Sequence, residues 1–103
     1  MIKCALFVRL EAKLGKEQAV ADFLATGLAM ADQEQSTPLW LALRLSPAAF
    51  GIFDAFETEE HRQVHLNGPI ARALMARAGE LFAEPPTIEM IDVLGLKNRP
   101  AKG

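Results

Sequence analysis

The chain is poor in cysteine, in histidine, in long apolar runs and in surplus charge of either sign, and each shortage removes a class of function. A single cysteine in 103 residues excludes a disulfide framework. Cys4 sits inside an apolar strand pattern, so it reads as a buried small hydrophobe in a reduced, cytoplasmic setting rather than as a nucleophile. Eleven basic residues stand against thirteen acidic ones, a net charge of -2, and no basic stripe follows any element. Nucleic acid is therefore not an expected partner. Apolar stretches such as Leu39 to Leu43 fall far short of the ~20 residues that a membrane span needs. The chain enters a strand pattern at once, so no charged-then-apolar leader is expected either. There is no glycine-rich phosphate loop, no nucleophile elbow, no Cys/His metal spacing and no pair of catalytic glutamates, so no metal and no cofactor is called for.

What is present is apolar periodicity, in 50% of the residues. Ile2 to Ala12 alternates, with Ile2, Cys4, Leu6, Val8 and Leu10 on one face and Lys3, Ala5, Phe7, Arg9 and Glu11 on the other, a strand with one dry face. From Lys16 to about Ala31, Val20, Phe23, Leu24, Gly27 and Leu28 recur at helical spacing. Gly27 on that stripe predicts close approach of the helix to the sheet. Asp32 to Thr37 is a polar loop. Leu39, Leu41, Leu43 and Leu45 then oppose Trp40, Ala42 and Arg44 along a second strand, a turn at Pro47-Ala48 follows, and Phe50 to Phe56 forms a third.

Thr58 is placed to cap the next helix, whose first turn is acidic and which carries both histidines, His61 and His65. Asn67-Gly68 closes it and Pro69 opens another helix, which runs to about Phe82 with Ile70, Leu74, Met75, Ala78 and Leu81 facing inward. Pro85-Pro86 ends that helix and Thr87 to Leu96 is the last strand. Residues 1–97 form one domain, and 98–103 a polar tail. The order of elements predicts an α+β, ferredoxin-like split βαβ sandwich with a four-stranded antiparallel sheet. Phe7, Trp40 and Phe53 or Phe56 would leave the second sheet face too apolar for water. Pairing two sheets face to face, as a homodimeric α+β barrel, would cover it.

At this point the chain resembles the antibiotic biosynthesis monooxygenase superfamily of dimeric α+β barrels. The resemblance is carried by VRLEAKLGKEQAVADFL, TPLWLALRLSP and FGIFDAFETEEHRQVHLNGPIARAL, and covers most of residues 2–96. It rests on Asp54-Ala55-Phe56 at the end of the third strand and on His65 nine residues beyond. It implies a cytoplasmic protein that oxidises a small aromatic or quinone-like molecule with molecular oxygen and no cofactor. The alternative is a non-catalytic binding or stress-related module on the same scaffold. The haem-degrading branch is marked by residues that align here with Val8, His65 and Met75, so haem is not expected. With no tyrosine in the chain, a tyrosyl proton donor like that of the polyketide-oxidising members is unavailable.

His65 is the candidate base or polar anchor, because a neutral imidazole in an apolar cleft can take a proton from an acidic phenol. The competing reading is a histidine satisfied within the fold. Asp54, between Phe53 and Phe56, needs a partner among Arg44, Arg62 and His65, either as a fold-holding ion pair or as the orienter of His65. Trp40, Phe56 and Phe7 are candidate aromatic contacts and Arg44 and Arg9 a candidate anion clamp. A two-residue turn at Pro47-Ala48 would set Asp54 among the leucines, and a three-residue turn would set it with Trp40 and Arg44. The second avoids an acid among leucines.

Overall fold

In the computed structural model, which describes residues 1–102, the alternating segments pair into one antiparallel sheet. The elements are β1 (Cys4–Glu11), α1 (Glu17–Ala31), β2 (Leu39–Arg44), β3 (Ala49–Phe56), α2 (Glu59–Leu66), α3 (Pro69–Leu81) and β4 (Thr87–Asp92). The sheet order is β2-β3-β1-β4, the ferredoxin-like arrangement. β4 stops at Asp92, four residues before the expected Leu96; Val93 still donates to Lys3 O at 2.9 Å, and beyond it Leu94 is fully exposed. Residues 98–102 of the expected tail are exposed, and its last residue lies outside the described residues.

Register decides which side chains share a face, because residues directly opposite one another in an antiparallel ladder point the same way. Leu6 pairs with Asp54 and Asp54 with Trp40; Leu10 pairs with Phe50 and Phe50 with Arg44. This is the face the helices cover. Val8, Leu10, Phe50 and Ile52 pack with Val20 and Leu24 of α1 and with Leu74 and Leu81 of α3, while Leu66 of α2 packs against Cys4, Leu6 and Phe56.

The register follows from a three-residue turn. Leu45 N donates to Ala49 O at 2.8 Å, leaving Ser46, Pro47 and Ala48 as the loop, and Ser46 Oγ accepts from Ala49 N at 3.2 Å. One consequence corrects the expected barrel lining. Trp40, Arg44 and Phe56 lie on the helix-covered face, whereas Phe7, Arg9, Phe53, Leu39, Leu41 and Leu43 lie on the other. The leucine row of β2 is thus the uncovered side, and Leu41 is 45% exposed there.

Helix ends follow local chemistry. Thr58 Oγ1 accepts from His61 N at 3.0 Å, and Pro69 occupies the first turn of α3, where a missing N–H costs nothing. Gly27 packs against the Trp40 indole so closely that an added Cβ would lie 3.3 Å from Cζ2 and Cη2. Two apolar residues depart from their stripes. Leu28 and Met75 are 50% and 60% exposed, because each falls on the flank of its helix that turns from the sheet. Among the described residues no helix is long and apolar enough to cross a membrane.

Candidate functional site

Asp54 is the one acid in the middle of β3, a central strand, and only 1% of it is exposed. A carboxylate so placed requires a cationic or donor partner. The helix that follows supplies it. Capping by Thr58 fixes the start of α2, and two turns later His65 points back onto the sheet. Its Nε2 lies 2.7 Å from Asp54 Oδ2, and its ring packs 5.4 Å from the Phe56 ring at a 45° tilt. The contact to Asp54 is short but not aligned as a hydrogen bond, and Asp54 Oδ1 has no partner among the described residues. It is a buried carboxylate–imidazole contact, an ion pair when the ring is protonated.

The other ring nitrogen is also engaged. His65 Nδ1 lies 2.7 Å from Glu34 Oε1, and Thr37 Oγ1 donates to the same oxygen at 2.8 Å. Glu34 belongs to the loop between α1 and β2, 31 residues away in sequence. His65 is only 7% exposed, so the imidazole is held between two carboxylates with little access to solvent. Burial opposes its charging, but Asp54 and then Glu34 together outweigh that penalty and raise its pKa above the ordinary histidine value.

Sequence reasoning joined His65 to Asp54 and missed Glu34. Nothing in DQEQST distinguishes Glu34 from a solvated loop acid. Arg62, the other candidate partner for Asp54, is used elsewhere. It pairs with Glu59 and donates to the carbonyls of Ala5 (3.1 Å) and Ile91 (3.3 Å), tying α2 to β1 and β4. His61 stays in the first turn of α2, and among the described residues no cluster of acids, histidines and cysteines converges as a metal site. Glu34 and Asp54 approach opposite edges of the His65 ring, so they share no point at which an ion could sit.

The remaining candidates separate. Phe56 is fully buried, so it is core. Trp40 is half-buried against Gly27. Phe7 lies over Gly51, where an added Cβ would come within 2.9 Å of its ring, and Arg9 is exposed beside it. Arg44 is exposed at the end of β2, held over the Phe50 ring at 4.6 Å and donating to Pro47 O at 3.1 Å. It flanks a shallow, open depression of about 240 Å³ between α1 and β2, also lined by Ala21, Leu24, Ala25, Ala42, Leu43 and Phe50. An apolar depression with one fixed guanidinium suits a small planar anion.

No family profile matches the chain, and no curated protein matches it. Solved structures do. A protein of unknown function from Nitrosomonas europaea, NE2512, is 53% identical over 98% of each chain, with a TM-score of 0.93. Two structures each described as a "putative antibiotic biosynthesis monooxygenase" are more distant. One, from Nitrosomonas europaea, is 16% identical over 89% of this chain and 90% of its own, with a TM-score of 0.79. The other, from Deinococcus radiodurans, is 18% identical over 95% of this chain and 99% of its own, with a TM-score of 0.76.

Proposed function

This chain belongs to the family of the Nitrosomonas europaea protein of unknown function and has the antibiotic-biosynthesis-monooxygenase-like fold, and from that premise we propose that it binds a small aromatic or quinone-like molecule and oxidises it with molecular oxygen, using no cofactor. The observation that carries this reading is the depression beside Arg44. A guanidinium held over Phe50 beside an open apolar depression of about 240 Å³ favours the anionic form of an acidic phenol of one or two fused rings. A phenolate is electron-rich enough to pass an electron to oxygen. Recombination at a ring carbon then leaves a quinone. One oxygen atom becomes the new carbonyl, and the other departs as water with the ring hydrogen and the phenol proton.

In this reading His65 is a polar anchor rather than the base, since both its nitrogens face carboxylates, and Asp54 orients it. Trp40 backs the α1 side of the fold through Gly27. Two copies pair through the uncovered sheet faces, placing Phe7 and Arg9 at the interface. A lone buried thiol suits a cytoplasmic setting.

One observation favours a second reading, that the protein binds such a molecule without turnover: His65, the buried histidine, has no free nitrogen to act as a base. Oxygen uptake with a naphthol or a hydroquinone separates the two. Catalysis predicts uptake that falls at least tenfold in Arg44→Met with the fold intact. A binding module predicts no uptake but a ligand-dependent stabilisation of size RT ln(1 + [L]/Kd), read as a rise in Tm. Neither uptake nor stabilisation would overturn both readings.

A further inference from the structure

His65 is contacted by an acid from a different element at each ring nitrogen, and while both acids are ionised only the doubly protonated ring satisfies both contacts. A doubly protonated imidazole has two N–H donors; a neutral one has a single donor and a bare lone pair. With Oε1 of Glu34 at 2.7 Å from Nδ1 and Oδ2 of Asp54 at 2.7 Å from Nε2, loss of a proton sets a lone pair against a carboxylate oxygen on one side. One contact must then open.

The two acids differ in their freedom to move. Asp54 is 1% exposed and lies in a central strand with ladder partners on both sides, Leu6 and Trp40. The Glu34 side chain is 16% exposed and sits in a loop, where it can turn to water and recover its solvation. We propose that His65 is a proton-operated latch, which holds the α1–β2 loop against α2 while the ring is charged and releases Glu34, with Thr37, when it is neutral.

Among the described residues, the surroundings hold no other charge that would take over. On its own helix Arg62 is committed to Glu59 and to the carbonyls of Ala5 and Ile91. From β1 the Cys4 thiol faces the carbonyl of Phe56. In the first turn of α3, Arg72 donates to Asn67 O at 2.8 Å. Glu34 Oε2 lies beside Gly68, the cap of α3, so the latch joins the loop to the junction of α2 and α3 as well. Because the two acids raise the affinity of His65 for its proton, release falls above the ordinary histidine value.

The test follows the His65 ring protons by NMR across pH in the full chain. Amide protection is recorded alongside, corrected for the intrinsic exchange rate. Protection at the Gln33 and Glu34 amides, which donate to Met30 O and Ala31 O, is expected to fall roughly tenfold, the factor carried by one charge-assisted hydrogen bond, with the same midpoint as the ring. β3 keeps its protection. Glu34→Gln, whose amide can accept from a protonated Nδ1 or donate to a bare one, is expected to abolish the step and lower the ring midpoint. Glu34→Ala is expected to leave the loop weakly protected at every pH. A wild-type loop that ignores the ring titration, a step that survives Glu34→Gln, or loss of protection at β3 instead would each overturn the latch.

Discussion

Replacing Asp54 by asparagine keeps the shape of the side chain and removes its charge, so it isolates what that charge does for His65. In the wild-type protein His65 binds its proton more tightly when folded than when unfolded. A raised folded-state pKa gives stability that is fully present below about pH 6.5 and lost as pH rises through the folded value. The Asp54→Asn variant would keep Glu34 as the only acid against the ring, with burial working against charging. The folded-state pKa then falls, and the pH-dependent part of the stability shrinks with it. At pH 6 the variant removes one partner of a buried pair with the charged ring, which costs ~3 kcal/mol. Once pH has risen through the folded-state value the ring is neutral, and the one N–H it keeps toward Asp54 can be accepted by the asparagine carbonyl oxygen as well as by a carboxylate whose Oδ1 has no partner among the described residues. The destabilisation should therefore shrink to near zero or reverse. Urea unfolding at fixed protein concentration, at several values from pH 5.5 to 9, reads this directly. A destabilisation of the same size at both ends would mean that Asp54 holds the fold by packing alone.

Two further predictions concern contacts away from this cluster. Gly27→Ala gains ~1 kcal/mol of helix propensity and must push Trp40 by a few tenths of an ångström, so its Tm should stay close to wild type, whereas Gly27→Leu should cost ~2 kcal/mol by overpacking against the indole; a tolerated leucine would show that α1 does not approach the sheet as closely as described. Leu41→Lys, on the uncovered face where Leu41 is 45% exposed, should leave the circular dichroism of the chain unchanged and, with two copies pairing through that face as proposed, lower the sedimentation coefficient to that of a monomer. An unchanged sedimentation coefficient would remove the sheet face as the site of pairing.

The strands and helix caps were legible because each rests on local chemistry. Alternation marked β1, Thr58 and Pro69 marked the ends of α2 and α3, and the cost of an acid among leucines pointed to the three-residue turn that the β2–β3 ladder adopts. The direction of β2 was not legible. Both of its faces are apolar, and which one the helices cover is set by the register with β3, which places Trp40 opposite Asp54 and against Gly27 of α1. Met75 fitted an inward helical stripe equally well by spacing, and its 60% exposure depends on how α3 is rolled on the sheet.

For the site, the sequence carried half of the arrangement. His65 and Asp54 are eleven positions apart across one strand end and one capped helix, a distance over which local structure fixes geometry. Glu34 reaches the same ring from 31 residues away through the packing of a loop, and loop packing has no periodicity to read. That missing acid changes the chemistry. A histidine with one carboxylate behind it has a free nitrogen and can serve as a base, whereas a histidine between two has none until it releases one of them. Any oxidation in this protein then depends on the acidity of its own substrate and on the cation at Arg44. His65 is left to govern how firmly the loop after α1 is held.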